Sequence, residues 1–205
     1  PYPITALLTL PLYAGDPQLD ERGYLIPEAP TNLWTARKTN LALGLAGILL
    51  IGYLLGRLYG PGIAVASVAL GCIDPSWLAQ ARWVTTDIAF GLGFFLTALC
   101  VQLYAKEKKG GWLGWAGLSC GFACTAKFSA LLLPFLVGGA LVVHQRVRGN
   151  TSLRDALTRG GKAALVTALT ACFFLLTLFE IHWAFGEIAF ASGPAHWLEG
   201  LGRFI

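Results

Sequence analysis

Two carboxylates, one arginine and one isolated lysine are the residues of this sequence best suited to chemistry. Asp74 opens Asp74-Pro75-Ser76-Trp77, and Arg82 and Asp87 follow in the short loop from Leu78 to Asp87. Lys127 stands alone between two apolar blocks, in Thr125-Ala126-Lys127-Phe128-Ser129. Glu180 and His182 follow the last long apolar block. A carboxylate can orient a hydroxyl group or accept its proton. A lysine ammonium is a compact point charge suited to a phosphate. Together they suit a phosphate-bearing lipid whose tail stays in the bilayer. Each residue also has a plainer use. Asp74 before Pro75 fits a helix N-cap with proline at the first helical position. Asp87 fits the positive end of the helix that follows it. Arg82 fits an acid or a lipid phosphate, Lys127 can snorkel to the membrane surface, and Glu180 and His182 fit an aqueous boundary.

The elements that must position these residues are apolar and of helical length. Hydrophobic residues make up 56% of the 205-residue chain and charged residues 13%, against about 25% in an ordinary soluble domain. Mean hydropathy is +0.63. The apolar residues fall in blocks at 41–55, 62–73, 88–104, 112–126, 128–143 and 163–179. A crossing helix needs about 20 residues, so several blocks require their flanks or a cavity that enters the membrane. The fold expected is all-α: a polytopic membrane helix bundle of about six transmembrane helices with short extracytoplasmic interfacial helices. Residues 1–40 form an extracytoplasmic loop, 41–180 the six spans and 181–205 a further extracytoplasmic segment. Ile4 to Tyr13 is apolar but too short to cross, and Trp183 and Trp197 suit the headgroup level.

Alternate loops differ in charge. One side receives nine Lys and Arg (Arg57, Lys106, Lys108, Lys109, Arg146, Arg148, Arg154, Arg159 and Lys162) against two acids, Glu107 and Asp155. The other receives six basic residues against nine acids. The positive-inside rule makes the first side cytoplasmic, so Asp74, Asp87, Lys127 and Glu180 face outward. The net charge of +4 is therefore topological and gives no reason to invoke nucleic acid. The five cysteines lie inside apolar blocks, where they act as small hydrophobes, and they lack zinc-site spacing. No metal-ligating residue is assigned: His182 and His196 could be ligands, but among aromatic residues at an interface they read as structural, and the sequence leaves a divalent-metal requirement open. The chain opens on Pro1 and contains no Met, and is read as part of a longer protein.

The run from Asp74 to Asp87 resembles the "dP…laha…ttD" stretch of polyprenyl-phosphate-dependent glycosyltransferases. These are the C-type superfold enzymes of the protein O-mannosyltransferase and aminoarabinose-transferase group. Gly117 to Ser129 is similar to their "G…G…a…tKfsa" motif. Phe179-Glu180 followed by Gly193-Pro194-Ala195-His196-Trp197-Leu198-Glu199-Gly200-Leu201 is similar to their "fE…paphywegl" stretch. Leu10-Pro11-Leu12 and Ala36-Arg37 fit the region after their first extracytoplasmic loop. The resemblance implies transfer of a sugar from a polyprenyl-phosphate carrier to a protein or lipid acceptor, in a multi-pass plasma-membrane enzyme whose active face is extracytoplasmic. It implies that Asp87 helps form the catalytic pocket and that Lys127, with Arg82, contacts the carrier phosphate. Asp74, Glu180 and His182 are secondary candidates. The family's principal catalytic acid, in its first outer loop, would lie before Pro1, so the fragment alone is expected to be inactive. The rival class is a polytopic transporter or lipid flippase, in which Asp87 and Lys127 would be gating or coupling charges. It calls for inverted repeats and charges near the midplane, and neither is evident. A purely structural membrane subunit has no use for a lone lysine.

Overall fold

The computed structural model describes residues 30–82, 87–149 and 152–189. Every regular element among them is helical. The order is α1 (Pro30–Tyr59), α2 (Pro61–Ile73), α3 (Pro75–Arg82), α4 (Asp87–Glu107), α5 (Gly111–Ala126), a 3₁₀ turn (Phe128–Leu132), α6 (Leu133–Gly149) and α7 (Leu153–Ala189). Among the described residues, four stretches are long and apolar enough to cross a membrane: Trp34–Tyr59, Asp87–Glu107, Ser129–Val147 and Leu153–Leu178. The chain is an all-α membrane helix bundle. All six apolar blocks are helical. However, α2, at 13 residues, reaches only about 20 Å and α5, at 16, about 24 Å at 1.5 Å per residue.

Three boundaries differ from the sequence reading. Residues 30–40, expected in a loop, form the first turns of α1. Pro30 is tolerated there because first-turn N–H groups have no intrahelical partner, and Ala36 and Asn40 are buried. Residues 78–82, expected in a loop, belong to the helix α3 that starts at Pro75. The basic stretch after His144 is not one loop but the end of α6 and the start of α7. Ser152 caps α7 by accepting from the Asp155 N–H at 3.1 Å, and its hydroxyl donates to Asp155 Oδ2 at 2.7 Å. The expected interfacial helix at Ile4 to Tyr13 and the aromatic motif at 193–201 lie outside the described residues, as do Thr85 and Thr86.

Small residues bring the helices together. Lipid tails give apolar helices little hydrophobic reason to associate, so close backbone approach and packing carry more of the burden. Gly60, at φ 102, makes the sharp exit from α1 that an L-side chain would resist, and α2 then turns back along α1. A Cβ on Gly93 of α4 would come 2.7 Å from the Ser119 carbonyl oxygen and 2.8 Å from the Ala123 Cβ on α5. On α5, Gly117 faces Thr167 and Thr170 of α7, and Gly121 faces Ala171 and Phe174. Gly138 and Gly160 similarly seat α6 on α7. Between α1 and α5, α4 packs on both and buries Leu92 and Leu103. The buried Thr97 hydroxyl donates to the Gly93 carbonyl at 2.7 Å, so this polar atom is satisfied inside the apolar layer.

One end of α4 carries a compact ionic cluster. Arg57, near the end of α1, pairs with Glu107 at 2.8 Å, and Lys109 joins the same carboxylate at 3.3 Å. The Trp112 indole N–H donates to Glu107 Oε2 at 3.1 Å, and the Arg57 guanidinium lies 5.3 Å from the Trp112 ring centre. Lys106 Nζ donates to the Leu58 carbonyl at 2.7 Å, meeting an end of α1 whose carbonyls lack intrahelical partners. One acid therefore holds the C-terminal ends of α1 and α4 and the start of α5 together. Glu107→Ala is expected to lower stability, because it removes the ion pairs to Arg57 and Lys109 and leaves the Trp112 N–H without its acceptor. Melting of the detergent-solubilised protein at low and high salt checks this, since the loss should shrink as salt rises.

Candidate functional site

The other end of α4 starts at Asp87, which is the first residue of that helix. A carboxylate there meets unpaired backbone N–H groups and the positive end of the helix dipole. Across from it, α5 runs back and stops at Ala126. Lys127 follows in extended conformation (φ −147, ψ 138), and its N–H closes α5 on the Ala123 carbonyl at 3.0 Å. Its position at the negative end of α5 suits its charge.

The 3₁₀ turn that follows Lys127 has a local cause. Pro134 has no N–H to offer the Ala130 carbonyl, as a continuous α-helix would require. The Leu133 N–H takes that carbonyl instead, giving the 3₁₀ turn Phe128–Leu132. The interruption removes Lys127 from a regular helical face and lets its side chain cross to α4.

Lys127 Nζ forms an ion pair with Asp87 Oδ1. Both side chains are close to half exposed, at 44% and 45%, so a ligand can reach either. The ammonium also lies 5.6 Å from the centre of the Phe90 ring, one turn along α4 from Asp87. Such an arrangement offers a cation and a carboxylate side by side at the mouth of an apolar layer. It can hold a phosphate on one member and a hydroxyl group on the other.

The other predicted residues are placed differently. Asp74 accepts the Ser76 N–H at 2.9 Å, which is the capping role its Asp-Pro sequence offered. Trp77 of α3 packs on Ile88 and Leu92 of α4, so Asp74 belongs to a helix lying against the start of α4. Arg82 ends α3, and Glu180 and His182 lie on the C-terminal stretch of α7; their side chains lie outside the described residues. Among the described residues, no group of three His, Cys, Asp or Glu side chains is assembled for a metal ion. Phe90 is the residue of the site that sequence reasoning passed over. Its spacing of three from Asp87 puts both on one helix face, which was the available signal.

The charged pair and the ionic cluster occupy opposite ends of α4. Its 21 residues separate them by about 30 Å, the thickness of a bilayer's hydrocarbon core. No curated protein and no solved structure matches the chain. A family profile does match, over residues 29–175, and its matched region holds both members of the pair. That match covers well over half of the sequence, and the chain belongs to the dolichyl-phosphate-mannose-protein mannosyltransferase family of membrane glycosyltransferases.

Proposed function

We propose that the protein moves a sugar from a polyprenyl-phosphate carrier to a hydroxyl group of a protein or lipid acceptor, at the extracytoplasmic face of the plasma membrane. The observation that carries this reading is the half-exposed Asp87–Lys127 pair at one end of the bundle. The surplus of Lys and Arg around the opposite end of α4 favours an outward-facing pair.

Lys127 takes the carrier phosphate. The acceptor oxygen attacks the anomeric carbon, the bond from that carbon to the phosphate oxygen breaks, and the lipid phosphate departs with the electron pair. The proton of the acceptor passes to a carboxylate. Charge grows on the phosphate during this step, and a fixed ammonium stabilises the transition state more than the ground state. Asp87 orients the acceptor or the sugar, and its contact with Lys127 holds the ammonium in position before the carrier arrives. Arg82, at the end of α3, supplies a second cation for the phosphate. Asp74, Glu180 and His182 are further candidates for the rim of the pocket, with Asp74 already engaged as a cap.

The test measures transfer from a radiolabelled polyprenyl-phosphate sugar in membranes carrying the full-length protein. Lys127→Ala and Asp87→Asn should each reduce the rate by about 100-fold or more, the usual scale for removing one preorganised electrostatic contact. Unchanged transfer in both variants overturns the site assignment.

A further inference from the structure

The face of α4 below the charged pair is open. Asp87, Gly91, Phe94 and Ala98 recur at the i, i+4, i+7, i+11 spacing of one helix face. Phe94 is 39% exposed and Phe95 54%, although the other side of α4 is deeply buried through Ile88, Leu92 and Thr97. A Cβ on Gly91 would meet no atom within 4 Å. Above this stretch Phe90 lies under the Lys127 ammonium. The Phe90 and Phe94 ring centres are 6.3 Å apart, and Phe94 meets Phe95 edge-on at 6.2 Å. From Asp87 to Ala98 this stripe descends about 16 Å, roughly half the depth of the hydrocarbon core.

We propose that this open stripe seats the first isoprene units of the lipid carrier. Gly91 leaves the space the chain enters, and Phe90, Phe94 and Phe95 form its aromatic wall. The inference rests on the reading of Lys127 as the phosphate contact. A phosphate held there has its tail directed into the apolar layer. Leu131 and Leu132 are exposed beside Lys127 as well, but the α4 stripe is the one whose Phe90 ring lies against the ammonium itself. The branched, unsaturated chain packs its methyl groups and double bonds against ring faces, whereas Gly91 and Ala98 present only small surfaces between the rings.

Gly91→Leu tests this without disturbing the pair, because its side chain enters open space. In the full-length protein it should raise KM for the polyprenyl-phosphate sugar about tenfold, with kcat and the acceptor KM unchanged, the signature of lost ground-state donor binding. Gly114→Leu on α5, also in open space, should leave all three constants at wild-type values. A carrier phosphate with a diazirine in its second isoprene unit should label residues 90–98 of the wild-type protein. An unchanged donor KM in Gly91→Leu, or a label on α6 or α7 in place of 90–98, overturns the proposal. Failure of the phosphate assignment reads separately, as undiminished transfer and undiminished labelling in Lys127→Ala.

Discussion

Exchanging the two charges, Asp87→Lys together with Lys127→Asp, should abolish sugar transfer while leaving the protein folded. A purely structural clasp would tolerate the exchange, since an ion pair between α4 and α5 can form in either orientation. A phosphate site cannot, because the ammonium would then stand on the first residue of α4 and a carboxylate would occupy the place of Lys127. The expected loss is at least about 100-fold, as for either single variant. The exchange also carries a small structural cost. The new lysine meets the positive end of α4 and the new aspartate the negative end of α5, at about 0.3–1 kcal/mol each. Two measurements separate the effects: transfer from a labelled donor, and the melting temperature in detergent. Near-wild-type transfer in the exchanged protein would reduce the pair to a clasp.

Gly93→Val should be the most damaging single substitution for the α4–α5 contact. The atoms in its way are the Ser119 carbonyl oxygen and the backbone and Cβ of Ala123, none of which can rotate aside. The two helices must separate, and overpacking of this kind costs about 1–3 kcal/mol or more. Gly91→Ala, two residues away with nothing within 4 Å, is the matched control and should be neutral or slightly stabilising, since alanine is the better helix former. Because α4 and α5 also carry Asp87 and Lys127, separating them should lower transfer in the protein that remains folded. Equal melting temperatures for Gly93→Val and Gly91→Ala would show that the close crossing at Gly93 is not what holds these helices.

Helix positions were legible in the sequence because the apolar blocks are long and Gly60-Pro61-Gly62 and Asp74-Pro75 punctuate them. Asp87 and Lys127 could be singled out as charges bordering apolar blocks. That they touch was not legible, because the register of α4 against α5 is set by Gly93 meeting Ala123, and many glycines in apolar helices look alike in one dimension. The Arg57–Glu107–Trp112 cluster was hidden for the same reason. Its members could be assigned to one side of the membrane, but their pairing depends on α1 and α4 ending together. The short helix α3 was missed because eight residues of mixed polarity make no apolar block. Asp74-Pro75 did carry the capping signal, and its side chain does bond the Ser76 N–H. Residues 30–40 were missed because Arg37 and Lys38 interrupt the hydrophobicity, although Lys38 lies over the Trp34 ring, 5.1 Å from its centre.

The two members of the charged pair belong to consecutive helices joined by the short turn at 108–110. Their union therefore needs only local chain, closed by a hairpin. Loop-closure entropy is low for such neighbours, and chains assemble from the N-terminal side as they are made. The pair can meet once α5 has followed α4 into the bilayer and Pro134 has set the turn after Lys127, before α7 has left the ribosome. The later helices then dock on a site already formed, with α7 clamping α5 from behind through Gly117 and Gly121. A translation product ending after Gly149 would keep Pro134 and carry the Asp87–Lys127 contact without that clamp.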